Sequence, residues 1–519
     1  MSGADKATVR WLLALLALEF LYIFLFLLNY DMAWMHHENP ERHVWALSNG
    51  SALHLEDLGK ALNTKLLEYD DNRISRPLSD ILLIINAKFR AFCWNFVPPH
   101  PSLSMLWPLS FICLPVFLFK FLRNMGCPAA PALAGVCLYL ASPGFLSSVV
   151  MLFHPAKGLV NVLAVLSLFF ASQIYARLAS LGPRCSVREV PRFWPYFTAS
   201  LSCMFVAFFS DETGVFIYVM AAFFLYPVVF RFRERWLLLG CVLLLPLAYF
   251  GVMHFVLPYL HFLVKGRAID LARCSFFPKT YLFFWKYFWI NFAWLAADHP
   301  HLQLNVAYLW PNNKPLFALQ AVYTAAMLGV LGASIRAFWQ APQERLKPAL
   351  LYSTLLVMFV FFHTLQFTKF SYTWGVWWYG ELYSLIYFIL FTFILRCILE
   401  GKDGALLRRF FVPVVCLAVV HGMVFSTYRV DVFEDKRGHP PYTKEQVFTG
   451  RIGEYYRNFS FTDSVRKSAC RRIYTFLMWA KAKNKDASAV TQPQIDRCRA
   501  ELADDISFPK EIEYARVEL

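Results

Sequence analysis

Residues 6–31 read KATVRWLLALLALEFLYIFLFLLNYD. From Trp11 to Leu28 the run is apolar apart from Glu19, and Lys6 and Arg10 precede it. A helix needs about 20 mostly apolar residues to cross the hydrocarbon core of a bilayer. The run is too long for the apolar region of a cleaved signal peptide. Asn29-Tyr30-Asp31 follows it in place of a small-residue cleavage site. The expectation is an anchored first membrane helix with its N-terminus in the cytoplasm.

Similar runs recur at 102–122, 130–152, 157–177, 197–210, 213–231, 237–258, 316–338, 349–367, 376–398 and 410–428. The sequence therefore predicts an all-α polytopic membrane protein with about eleven transmembrane helices. The aromatic run 281–296 contains Lys286 and Asn291 and is short. It reads as an interfacial or re-entrant segment, because Trp and Tyr favour the headgroup level. Composition agrees: 58% of the 519 residues are hydrophobic and 16% charged, against roughly 45–50% and about 25% in soluble chains. That excludes disorder and argues against a soluble enzyme.

The net charge of +15 resembles a nucleic-acid signal, yet its distribution says otherwise. With the N-terminus inside, segments 1–10, 120–129, 176–196, 231–236, 336–348 and 396–410 face the cytoplasm. They hold 18 Lys and Arg against 6 Asp and Glu. Excess cations in cytoplasmic loops are the mark of membrane topology, so no nucleic-acid partner is expected. The twelve cysteines form no CxxC pair, and no zinc site is implied.

Three large segments then face outward: 30–101, 258–315 and 429–519. The expected division is a membrane module over 1–428 and a C-terminal outer segment or small domain over 429–519, where Cys470 and Cys498 have the option of pairing. No internal repeat is visible, whereas many transporters are built on repeated halves.

The first outer segment carries the densest polar cluster, EYDDNRISRPLSD at 68–80. Pro77 suits the first position of a helix. Leu78, Ile81, Leu82, Ile85, Phe89 and Phe92 then fall on one helical face. Such a helix would lie on the membrane surface. Asp70 or Asp71 would suit general-base work on an acceptor hydroxyl. Arg73 and Arg76 would suit a phosphate, which guanidinium matches with paired hydrogen bonds. A solvated loop of mutually neutralising charges is the plainer reading.

Other outward groups follow. Asp211 and Glu212 form an acidic turn between two apolar runs, suited to sugar hydroxyls or an acceptor. Mg²⁺ or Mn²⁺ is compatible with that one pair and is not required by it. The second outer segment is basic, with Arg267 and Arg273 as phosphate-binding candidates. Lys369 is a further outward cation. Trp377 and Trp378 beside Glu381 are candidates for a sugar-stacking surface, or simply part of an interfacial aromatic belt. Glu19, His363 and His421 are polar residues within apolar runs, for which helix-to-helix hydrogen bonding is a sufficient account.

The string YDDNRISRPLSDILLIIN at 69–86 resembles the signature of the GtrII-like O-antigen glucosyltransferase family, within the GT-C membrane glycosyltransferases. In that family a DDxxR element after the first span is followed by an RPLxDxL-type stretch. The resemblance implies a GT-C-like bundle with a long outer first loop. It also implies a polyprenyl-phosphate-linked sugar as donor and a hexose, glucose above all, as the transferred group. The acceptor would be a cell-envelope glycan such as O-antigen in lipopolysaccharide. The resemblance further places the protein in the bacterial inner membrane, with active site and C-terminus periplasmic. Here about 40 residues separate the first span from the acidic pair. Asp31, directly after that span where GT-C enzymes commonly carry the key carboxylate, is therefore an alternative base. Membrane lipid and envelope-assembly proteins are the remaining expected partners. The rival readings are a lipid or glycan transporter or flippase, and a non-catalytic assembly scaffold.

Overall fold

The computed structural model describes residues 3–25, 112–142, 145–146, 155–178, 181, 184–210, 228–256, 313–340, 404–435 and 492–502. It also describes single positions at 78, 85, 89, 92, 225, 259, 262 and 263, and ten between 384 and 399. Among the described residues the protein is helical, with one isolated bridge between Cys185 and Phe232. The helices are α1 (Gly3–Leu25), α2 (Leu114–Asn124), α3 (Ala129–Leu140), α4 (Pro155–Leu178), α5 (Phe193–Ser210), α6 (Arg235–Gly251), α7 (Lys314–Gln340), α8 (Gly404–Asp435) and α9 (Gln492–Leu502). Five of the described helices, α1, α4, α5, α7 and α8, are long and apolar enough to cross a membrane.

The surface of these helices is what lipid, rather than water, would select. On α1 the exposed side chains include Trp11, Leu13, Leu18, Leu21, Phe24 and Leu25, whereas Glu19 and Tyr22 are buried. On α8, Phe410, Val420 and Val424 are exposed and His421 and Ser426 buried. On α7, Val322 and Leu328 are exposed and Gln320 is buried. Apolar side chains outside and polar ones inside invert the pattern of a helix on a soluble domain.

The centre of the bundle is α3. Every residue from Pro131 to Leu140 is buried, as expected of a helix that is hydrophobic all round. It packs against α1, α2 and α8. At Gly135 a Cβ atom would overlap the Thr392 side chain, and at Gly422 of α8 it would overlap the Ala141 carbonyl. Small residues at these crossings let the helices approach closely.

The turn from α2 to α3 is encoded locally. Gly126 has a φ of +84°, which glycine adopts without a steric penalty. Its N–H donates to the Arg123 carbonyl, and the Cys127 N–H donates to that of Leu122, each at 3.0 Å. These two bonds make a Schellman motif, and Pro128 then opens α3. Arg123 Nη1 also donates to the Cys127 carbonyl at 2.7 Å.

On its other side α2 packs on α4, and α4 on α5. Ser167 and Ser200 lock the last pair. Ser200 Oγ donates to the Ser167 carbonyl at 3.0 Å, and the two hydroxyls lie 3.0 Å apart. The expected run at 130–152 is interrupted: α3 ends at Leu140, and Ser142 Oγ accepts from the Phe145 N–H at 3.3 Å to start a new helical turn. The expected short span at 197–210 is an 18-residue helix beginning at Phe193. The last span continues as helix beyond 428, to Asp435.

Candidate functional site

Asp31, Asp70, Asp71, Arg73, Arg76, Asp211, Glu212, Arg267, Arg273, Lys369, Trp377, Trp378 and Glu381 all lie outside the described residues. So do Cys470 and the run 281–296. What the structure does describe is the helical frame from which these segments depart.

Side-chain contacts order the helix ends into two faces. Asn124 Nδ2 donates to Ser172 Oγ at 3.0 Å, bringing the end of α2 to the end of α4. Arg231 Nη2 donates to the Leu178 and Leu181 carbonyls, both at 3.0 Å. That joins the end of α4 to the chain entering α6. Arg396 Nη1 lies beside Gly126. Leu395 and Leu399 share an apolar pocket with Ala333 of α7 and Phe410 of α8. The N-terminal part of α1 meets α3 through the Cys137 thiol, which donates to the Leu12 carbonyl at 3.7 Å. Lys6, Arg10, Arg123, Arg177, Arg184, Arg188, Arg192, Arg231, Arg233, Arg235, Arg336 and Arg396 thus all belong to one face. The segments expected to be cytoplasmic are the ones that meet there.

The opposite ends also gather. Tyr22, near the end of α1, donates from its hydroxyl to the Met423 carbonyl of α8 at 2.8 Å and lies 2.7 Å from Thr427 Oγ1. Phe208 and Phe209, at the end of α5, hold ring contacts of 5.0 and 5.6 Å with Tyr249 near the end of α6. Gln320, in the second turn of α7, bonds His421 of α8. In the sequence these ends precede Asp31, Asp211-Glu212, and the segment holding Arg267 and Arg273. Glu381 lies three residues before Ser384, whose helix runs toward the Arg396 face. The described helix ends that run on toward Asp31, Asp211 and the 258–315 segment therefore share the face opposite those cations.

Of the surface-helix stripe, Leu78, Ile85, Phe89 and Phe92 are described, and all four are helical. Phe89 and Phe92 are exposed.

Beneath the cation-poor face the interior is polar. His421 Nε2 and Gln320 Oε1 are 2.8 Å apart. The imidazole is stacked between Tyr323 and Phe425, with ring centroids at 3.9 and 4.3 Å. Gln320 Nε2 donates to Thr324 Oγ1 at 3.1 Å. Glu19 is 2% exposed and sits beside the Cys137 thiol. Neither of its carboxyl oxygens has a hydrogen-bond partner among the described residues. Helix-to-helix bonding thus accounts for His421 and leaves Glu19 unexplained. Gln320 was legible as a lone amide in an apolar run. Its pairing with His421 had no local signal.

Comparison of the chain with family models, with curated proteins and with solved structures finds no match.

Proposed function

We propose that the protein is a membrane glycosyltransferase of GT-C type, moving a hexose, glucose by preference, from a polyprenyl-phosphate carrier to a cell-envelope glycan. The observation that carries the reading is the YDDNRISRPLSDILLIIN segment at 69–86, in a chain with several helices apolar enough to cross a membrane. Membrane lipid is the natural source of a prenyl-linked donor. The bacterial inner membrane, with the site on the periplasmic side, belongs to the same proposal.

The reaction is a single displacement at the anomeric carbon. Asp70 or Asp71, with Asp31 as the alternative, takes the proton of the acceptor hydroxyl while its oxygen bonds the sugar carbon. The bond from that carbon to the carrier phosphate breaks, and the phosphate leaves with both electrons. Arg73 and Arg76, with Arg267, Arg273 and Lys369, stabilise the charge that develops on the leaving phosphate. Asp211, Glu212, Trp377, Trp378 and Glu381 are assigned to sugar or acceptor contacts.

Replacing both Asp70 and Asp71 by Asn tests the assignment in cells. Expression at wild-type level with loss of the glycan modification is the expected result. Unchanged glycan in the double variant would remove the pair from the mechanism. A second reading, a lipid or glycan transporter, is favoured by one observation: the buried carboxyl of Glu19 in a membrane helix, a common mark of coupled transport. For that reading Glu19→Gln abolishes function while the Asp70 and Asp71 variant retains it.

A further inference from the structure

The cation-rich face carries a built cluster that the transfer chemistry does not use. Two segments are stapled there. The Cys185 N–H donates to the Arg231 carbonyl at 3.1 Å, and the Arg233 N–H returns a bond to the Cys185 carbonyl at 3.0 Å. Ser186 opens a single 3-10 turn, Val187–Glu189, as its N-cap. Arg192 follows with a φ of 57°, a backbone conformation rare outside glycine. Phe193 then packs on Phe197 and Phe232, with ring centroids at 5.3 and 4.8 Å.

Seven arginines sit in or beside this staple, and they divide into three kinds. Arg231 is held by the Leu178 and Leu181 carbonyls. Arg177 is held by Gln173 and the Tyr196 hydroxyl. Arg235 lies over the ring of Trp236. Arg184, Arg188, Arg192 and Arg233 are exposed. Among the described residues their guanidinium groups make no ion pair.

The neighbouring carboxylates explain why. Glu189 Oε1 accepts from the Ser186 N–H at 3.1 Å. Glu234 accepts from Ser186 Oγ at 2.6 Å through one oxygen and from the Val187 N–H at 3.1 Å through the other. Both acids are engaged by the Ser186–Val187 segment, and four guanidinium groups face outward on this scaffold. Two indole rings flank them. Trp194 is 45% exposed and Trp236 is 69% exposed, as expected for side chains seated at the headgroup level.

We propose that Arg184, Arg188, Arg192 and Arg233 form a binding site for the headgroup of an anionic phospholipid in the leaflet on this face. Guanidinium pairs with phosphodiester oxygens through parallel hydrogen bonds. The exposed tryptophans set the depth at which such a headgroup meets the cluster, and that selects membrane lipid over a soluble anion. The proposal does not depend on the transfer reaction.

The test uses the full chain, purified in detergent and stripped of lipid, with phosphatidylglycerol and phosphatidylcholine as probes and native mass spectrometry as the readout. Phosphatidylglycerol is expected to be retained in preference to phosphatidylcholine. In R184Q/R188Q/R192Q/R233Q that preference falls, by roughly five-fold for each arginine removed. K6Q/R10Q/K120Q removes cations of the same face away from the staple and keeps wild-type retention. Where the fourfold variant yields no folded protein, R188Q/R233Q gives the same reading with a smaller loss. Equal retention of the two lipids by the wild type overturns the proposal. So does wild-type retention in the arginine variants, or an equal loss in the control.

Discussion

Gly135 and Gly422 decide how closely the central helices approach. A methyl group at Gly135 has no room beside Thr392, so Gly135→Ala is expected to destabilise the bundle by about 1–3 kcal/mol, the range for overpacking. Trimming the neighbour in Gly135→Ala/Thr392→Ala restores part of the loss. Thermal unfolding of the three variants in detergent checks this, and additive losses would contradict it. A second residue-scale outcome concerns Gln320→Leu. Removing the partner of His421 at 2.8 Å should cost about 0.6–2 kcal/mol, as interhelical bonds in membranes do, measured by the same unfolding curves. The sequence showed that His421 lay in an apolar run. It did not show that Gln320 would meet it, because pairing across 101 positions is a property of packing and not of any window. Glu19 was equally legible as a buried acid, and its neighbour Cys137 equally illegible.

Among the elements, hydropathy located α1 to α8 and misjudged several of their ends, while the polar α9 lies outside every apolar run. The 32 residues of α8 span about 48 Å at 1.5 Å per residue, well beyond the roughly 30 Å hydrocarbon core. Its termini continue as helix where the apolar signal has faded, and Gly404 and Asp435 fall outside the run at 410–428. The break after α3 follows instead from the Ser142 cap. The staple between 185–189 and 231–234 was not legible, because its bonds join backbone groups of segments 46 residues apart. It also has a pH dependence. The Ser186 hydroxyl, bonded to Glu234, holds that carboxyl below the ordinary glutamate value of 4.5. A depressed folded-state value means the contribution to stability is complete above the unfolded value and is lost as pH falls through the folded one. The protection factor of the Val187 amide, its exchange corrected for the intrinsic pH dependence, should therefore be high at neutral pH and fall below the ordinary glutamate range. In Glu234→Gln that fall disappears; a pH response unchanged in the variant would contradict the role given to Glu234.

Across the whole molecule, charge separates the two faces more sharply than hydropathy separates the helices. Single cysteines at Arg188 and Lys314, in a background with native cysteines replaced, should react with an impermeant maleimide from opposite sides of the membrane. Lys314 is expected to label in intact cells and Arg188 only in inverted vesicles; labelling from one side would break the sidedness. This much of the fold was readable because positive charge and apolar length are local properties that sum along the chain. The candidate site was readable only as a set of residue types on segments expected to face outward, since which carboxylate meets which cation is a tertiary property that no local window carries. Sugar transfer by those residues is the proposed activity. Its most direct measurement incubates the purified protein with polyprenyl-phosphoglucose labelled in the sugar and with isolated envelope glycan. The prediction is label appearing in the glycan with wild-type protein and none with Asp70→Asn/Asp71→Asn. No transfer by the wild type from any polyprenyl-phosphohexose, or undiminished transfer by the double variant, would contradict it.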